Sequence, residues 1–212
     1  MTLVPDRRTL VVLVSLVAAM TLASGLLLVL EPTAPGRPRF GMALQNVHEQ
    51  ASGDVQLFDT EAPVEPGRWQ AIVIHDSGTL IGSAATIDRA HKRLGRGGLG
   101  YHFVINGSGK NDGQIERSPR WRLQNSGAHS AGDRSDWFNE HAIGVCLIGD
   151  LSRQPVSATQ MEQLVWLVQR LQSRLKIPAG HVYLPTDAGG LQTDSNRLLV
   201  ERLRAQLLTQ QP

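Results

Sequence analysis

A single cysteine, Cys146, in 212 residues excludes an intrachain disulfide as a source of stability. It sits inside Ala142-Ile143-Gly144-Val145-Cys146-Leu147-Ile148 and reads as a small buried apolar residue. Excess charge of one sign is also missing, since 21 Lys and Arg against 19 Asp and Glu leave a net charge of +2. The basic residues are scattered and form no aromatic-rich stripe, so nothing here makes a nucleic-acid footprint. Weak attraction to acidic polymers stays open. No internal repeat is visible. Hydrophobic content of 41% and charged content of 19% are ordinary for a folded protein, and the length suits one domain plus a short extra element.

The extra element is at the N-terminus. Residues 10–30 carry no charge, follow Arg7-Arg8 and precede Glu31-Pro32. About 20 apolar residues span a hydrocarbon core, and flanking arginines stay in the cytoplasm. A cleaved signal peptide competes, with Ala23-Ser24-Gly25 as its site, but the apolar run continues five residues past Gly25. An uncleaved anchor is expected, with residues 1–9 cytoplasmic and everything after residue 30 extracytoplasmic. Residues 31–68 read as a Pro-rich linker and a lead-in arm of little regular structure. The folded domain is expected over residues 69–212.

Within it, strands are expected at 70–75, 100–105, 114–117, 142–148 and 181–184, and helices at 83–94, 158–175 and 197–208. The 158–175 segment is the best helix. Ser157 and Gln160 make a capping box, and Met161, Leu164, Val165, Val168, Leu171 and Leu175 recur at helical spacing. Alternating strands and helices predict an α/β fold with a mixed β-sheet flanked by helices. One strand carries chemistry. Ala71-Ile72-Val73-Ile74-His75-Asp76-Ser77-Gly78-Thr79 delivers His75 to a strand end, where a side chain is held by the sheet yet open to a ligand.

Four segments in order resemble the zinc-dependent N-acetylmuramoyl-L-alanine amidases, whose fold is shared with peptidoglycan recognition proteins. They are Ile72-Val73-Ile74-His75, Gly100-Tyr101-His102-Phe103-Val104-Ile105, Ser126-Gly127-Ala128-His129 and His141-Ala142-Ile143-Gly144-Val145-Cys146-Leu147-Ile148-Gly149. The resemblance covers Trp69 to about Leu208. It implies the amidase-type fold, peptidoglycan or muropeptide as partner, and a zinc held by two histidines and a cysteine or aspartate. That metal would make a nucleophile of bound water and polarise the amide between the muramic acid lactyl group and L-alanine.

By the same resemblance His75 is the first zinc ligand, His181 in Gly180-His181 the second, and Asp194 in Thr193-Asp194 the third. Asp187 rivals Asp194. Tyr101 matches the family's site tyrosine, a hydrogen-bond donor to zinc-bound water or to the tetrahedral intermediate. His129 matches a histidine that faces substrate, and Trp121 with Arg122 falls on a groove wall suited to sugar and carboxylate. Where the family carries Pro-Gly after the third ligand, this chain carries Ser195-Asn196, and Asp194 comes thirteen positions after His181. Three functions follow: a membrane-anchored zinc amidase, a metal-free module that binds muropeptide through the same residues without cutting it, or a structural or regulatory membrane protein that keeps only the fold.

Overall fold

The computed structural model describes residues 6–8, 56–184 and 194–207, the side chains of 194–196 excepted. Among these no helix is long and apolar enough to cross a membrane, and the expected anchor at 10–30 lies outside them.

The elements run in the order β1 (Ala71–Asp76), α1 (Ala84–Arg93), β2 (Phe103–Ile105), β3 (Ile115–Arg117), α2 (Pro119–Arg122), α3 (Ser135–His141), β4 (Ala142–Leu147), α4 (Ala158–Leu175), β5 (Val182–Tyr183) and α5 (Asp194–Arg204). They build one mixed sheet of order β3-β2-β4-β1-β5. All neighbours are parallel except β3, which runs antiparallel at one edge. Strands β1 and β4 occupy the centre, and parallel strands covered on both faces need the near-continuous apolar runs that these two sequences supply.

Side-chain alternation sorts the core into two layers. Ile72, Ile74, Phe103, Ile105, Ile143, Val145 and Leu147 face α4 and α5, meeting Leu164, Val168, Leu171, Leu199 and Leu203. Each such side chain contributes roughly 1.5–3 kcal/mol when fully buried. The opposite face is split. Val104 and Cys146 pack with Leu99, Tyr101 and Ile148 beneath Ala84 and Ile87 of α1. Ala71, Val73 and Ala142 pack with Trp137 and Phe138 of α3 and with Tyr183. His75 has the parity of Ala71 and Val73 and so belongs to this second face.

Several boundaries differ from expectation. The fold begins before Trp69: Phe58 is buried in the main core, and Glu61 N–H donates to the Arg122 carbonyl at 2.7 Å. Strand β2 is shorter than 100–105 because Gly100 pairs sideways, accepting from Ala128 N–H at 2.9 Å. A Cβ at Gly100 would lie 2.3 Å from the Ala128 carbonyl oxygen, so only glycine permits that approach. Helix α5 starts at Asp194, three residues earlier than 197. Helix α3 was not foreseen, because seven residues are too few to display a helical period.

The capping box before α4 forms only by half. Ser157 Oγ accepts from Gln160 N–H at 2.9 Å, but the Gln160 side chain turns inward and donates to the carbonyls of Ile105 and Ile148. Those carbonyls sit at the ends of β2 and just past β4, and satisfying them inside the core outweighs a second cap bond. Ser157 also donates to Asp112 Oδ1 at 2.8 Å. Ser157→Ala is expected to cost about 1 kcal/mol in urea denaturation, the usual loss of an N-cap.

Candidate functional site

The carboxyl end of β1 is tied down just after His75. Asp76 Oδ2 accepts from Leu151 N–H at 2.9 Å, and Ser77 Oγ accepts from Gly149 N–H at 3.0 Å while donating to the Gly149 carbonyl. The loop that follows presents Leu80 and Ile81 to solvent, the latter 78% exposed. His75 is half-buried between these loops.

Tyr101 and His129 meet His75 here. The Tyr101 ring centroid is 5.5 Å from that of His75 and stacks on His129 at 6.3 Å, 19° from parallel. His75 Nε2 is 3.2 Å from His129 Nδ1. The His129 ring fills a slot between two glycines, for a Cβ at Gly127 or Gly144 would lie 2.3 or 2.4 Å from its Cδ2. Asn139 at the end of α3 holds the backbone of this loop, its Oδ1 accepting from the N–H groups of both His129 and Ser130 at 2.9 Å. Asn139 and Ser130 escaped the sequence reading. A polar residue on a short helix carries no signal of what it will hold.

Burial keeps these imidazoles neutral. It lowers His75 to about 4, and lowers His129 to about 3 with help from the neighbouring His75. His102, fully buried, is lowered to about 3 by burial and then by His129. Its Nδ1 accepts from Gly144 N–H and its Nε2 faces the Asn125 carbonyl, so it is a packing residue with both nitrogens used. Burial likewise pushes the Tyr101 phenol up, keeping it protonated.

The remaining predicted residues lie elsewhere. His181 is exposed, and its Nδ1 donates to the Gln70 carbonyl at 3.0 Å. Strand β5 pairs Val182 with Ile72, which sets His181 beside the amino end of β1. Four residues of strand, about 13 Å at 3.3 Å each, separate that level from His75. Two nitrogens on one zinc must each approach within about 2.1 Å of it, and the ring held by Gln70 cannot do so with His75. The register explains the miss: Val182 pairs with Ile72 and Tyr183 with Val73, so His181 falls level with Ala71, four positions short of His75. The Gly-His match was therefore displaced by four residues.

Trp121 does not join His75. It is 2% exposed and packs on Phe103 and Phe58 in the core layer on the other side of the sheet from His75. With Trp69, Arg174, Pro178 and His181 it lines a groove of about 750 Å³ near the amino end of β1. Arg122 is engaged at the surface by Glu61, with Nε 2.9 Å from Oε1. The Asp194 side chain and Asp187 lie outside the described residues.

Among the described residues no three His, Cys, Asp or Glu side chains gather to hold a metal. Beyond His181 the sequence contains no further His or Cys. The described residues therefore do not fit a zinc held by two histidines: of the two predicted histidine ligands, His75 stands at this end and His181 does not.

The sheet order, the helix-covered faces and the β1-end histidine define an α/β fold of amidase and peptidoglycan-recognition type. The N-acetylmuramoyl-L-alanine amidase family model matches residues 65–195, more than half of the chain, and the protein belongs to that family. Among solved structures it is similar to the N-acetylmuramoyl-L-alanine amidase LysC from Clostridium intestinale URNW, at 25% identity and a TM-score of 0.53, over 69% of this chain and 94% of that one. It is also similar in fold to Drosophila PGRP-LB, at 20% identity and a TM-score of 0.51, over 68% of this chain and 85% of that one. No curated protein sequence matches.

Proposed function

We propose that the protein binds the muramoyl-peptide of peptidoglycan at the carboxyl end of β1 without cutting it. Family membership and the likeness to LysC support peptidoglycan as the ligand. The observation that carries binding over cleavage is the separation of His181 from His75. His181 stands at the other end of β1, and both nitrogens of His129 are engaged, by His75 and by the Ala142 carbonyl, so the activated water that amide hydrolysis near neutral pH calls for has no generator among the described residues.

Neutral His75, the protonated phenol of Tyr101, and exposed Leu80 and Ile81 offer hydrogen bonds beside an apolar surface, a mixture suited to a peptide carrying a sugar. The uncharged segment 10–30 behind Arg7-Arg8 supports an uncleaved membrane anchor, with the domain on the extracytoplasmic side where peptidoglycan lies. Hydrolysis of the muramoyl–alanine amide with a zinc-bound water is the second reading. It is favoured by the family itself and by two carboxylates, Asp187 and Asp194, following β5 in sequence.

Calorimetric titration of the full chain with a soluble muramoyl-peptide, with and without a zinc chelator, tests the first reading. Affinity is expected to be the same under both conditions. His75→Ala is expected to weaken it about tenfold, the equivalent of one lost hydrogen bond of 1.4 kcal/mol, whereas His181→Ala leaves it within about twofold. Binding abolished by the chelator would contradict the proposal.

A further inference from the structure

Hydrogen bonding fixes which nitrogen of each site histidine carries its proton. His129 Nε2 lies 3.2 Å from the Ala142 carbonyl, an acceptor only, so that nitrogen bears the hydrogen. With the ring neutral, His129 Nδ1 holds a lone pair. Ser130 Oγ at 3.0 Å and His75 Nε2 at 3.2 Å both approach it, and because a second lone pair facing it at 3.2 Å would be repelled, His75 Nε2 meets it with a hydrogen. His75 is therefore protonated on Nε2, and its lone pair is left on Nδ1. No described group pairs with that Nδ1, and it is not among the buried polar atoms without a partner.

We infer that His129 is a positioning residue: backed by the Ala142 carbonyl, it locks His75 in the Nε2–H tautomer and makes His75 Nδ1 the site's hydrogen-bond acceptor for a ligand N–H or O–H. The chain of contacts carbonyl–imidazole–imidazole is built into the sheet. Ala142 opens β4, His75 is the penultimate residue of β1, and Gly127 and Gly144 bound the slot that the His129 ring fills. The specificity consequence is direct. A ligand that places a peptide N–H or a sugar hydroxyl at Nδ1 is accepted, and one that places a carbonyl there meets lone pair against lone pair. The identity of the ligand as a muramoyl-peptide rests on the proposed function, whereas the tautomer does not.

The test is long-range proton–nitrogen NMR of the histidine rings in the full 15N-labelled chain at pH 7.5, with His75 signals assigned by their loss in His75→Gln. The expected pattern for His75 is a pyrrole-type Nε2 and a pyridine-type Nδ1. In His129→Gln the His75 nitrogens are expected to move toward the average of two tautomers. A pyrrole-type Nδ1 in the unsubstituted protein, or an unaltered His75 pattern in folded His129→Gln, overturns the assignment. The unsubstituted protein decides the tautomer even if His129→Gln does not fold. Adding a soluble muramoyl-peptide is then expected to shift the His75 Nδ1 resonance. A fixed tautomer with an unmoved Nδ1 at saturating peptide refutes the acceptor role and leaves the tautomer standing. Absence of any binding in the same titration refutes the ligand class instead.

Discussion

Between pH 7.5 and pH 5 the folded domain is expected to lose about 4–6 kcal/mol of stability, through three buried histidines at ~2 kcal/mol each. His75, His102 and His129 are lowered to about 4, about 3 and about 3 in the folded chain, against 6.5 when solvated. Because the folded values lie below the unfolded ones, the stabilisation is complete above pH 6.5. It is lost as pH falls, since the unfolded chain then takes up protons that the folded chain refuses. The refusal has a structural cause. His102 Nδ1 already accepts from Gly144 N–H, and a proton there would set two hydrogens face to face. His129 Nδ1 likewise already accepts from its neighbours, and Arg120 adds positive charge near both rings. A loss of this size takes much of the roughly 5–15 kcal/mol that holds a typical domain. Urea denaturation followed by tryptophan fluorescence reads it directly, since Trp69 lies 4.8 Å from the His102 ring. A stability change under about 1 kcal/mol across that range would contradict the neutral-histidine account.

Gly144→Ala is the second large effect. Gly144 sits in the middle of β4 opposite Val73, where a methyl group would lie 2.4 Å from His129 Cδ2 and 2.6 Å from Cγ. The ring cannot retreat, because Gly127 bounds it on another side and the Ala142 carbonyl holds Nε2. Overpacking of this kind costs about 1–3 kcal/mol, and here it also separates His129 from His75. The expected result is therefore double: a lower urea midpoint, and an affinity for muramoyl-peptide down about tenfold or more even under conditions where the variant is fully folded. Gly180→Ala, with nothing within 4 Å of the new methyl, is the control and is expected to change stability by less than about 0.5 kcal/mol. Equal behaviour of the two variants would show that the glycine slot has no role.

The fold was legible because its signals are local. Strands β1 and β4 open on apolar runs, Ala71 to Ile74 and Ala142 to Leu147, whose composition alone marks them, and α4 begins and ends at the residues its cap and period indicate. His75, Tyr101 and His129 were found together because each is attached to such an element or lies within a motif beside one. The failures share a different cause. Gly180-His181 matched a pair of letters, but the register of β5 on β1, which no local pattern encodes, puts that pair at the wrong end of the strand. Trp121 follows a Ser-Pro start to a four-residue helix, and one turn of helix does not reveal which side of a sheet it will cover. The early start of the fold rests on Leu57 and Phe58, a pair too short to display a period.

The central claim is that this amidase-family chain holds muramoyl-peptide without a hydrolytic zinc. It is tested most directly by incubating the full chain with excess zinc, removing unbound metal, measuring zinc per chain, and then assaying muramoyl-peptide for newly freed alanine amino groups. The account predicts well under one zinc per chain and no freed amine above the buffer control, while the peptide still binds. One zinc per chain, lost in His75→Ala and accompanied by release of the peptide amine, would contradict it and establish the amidase.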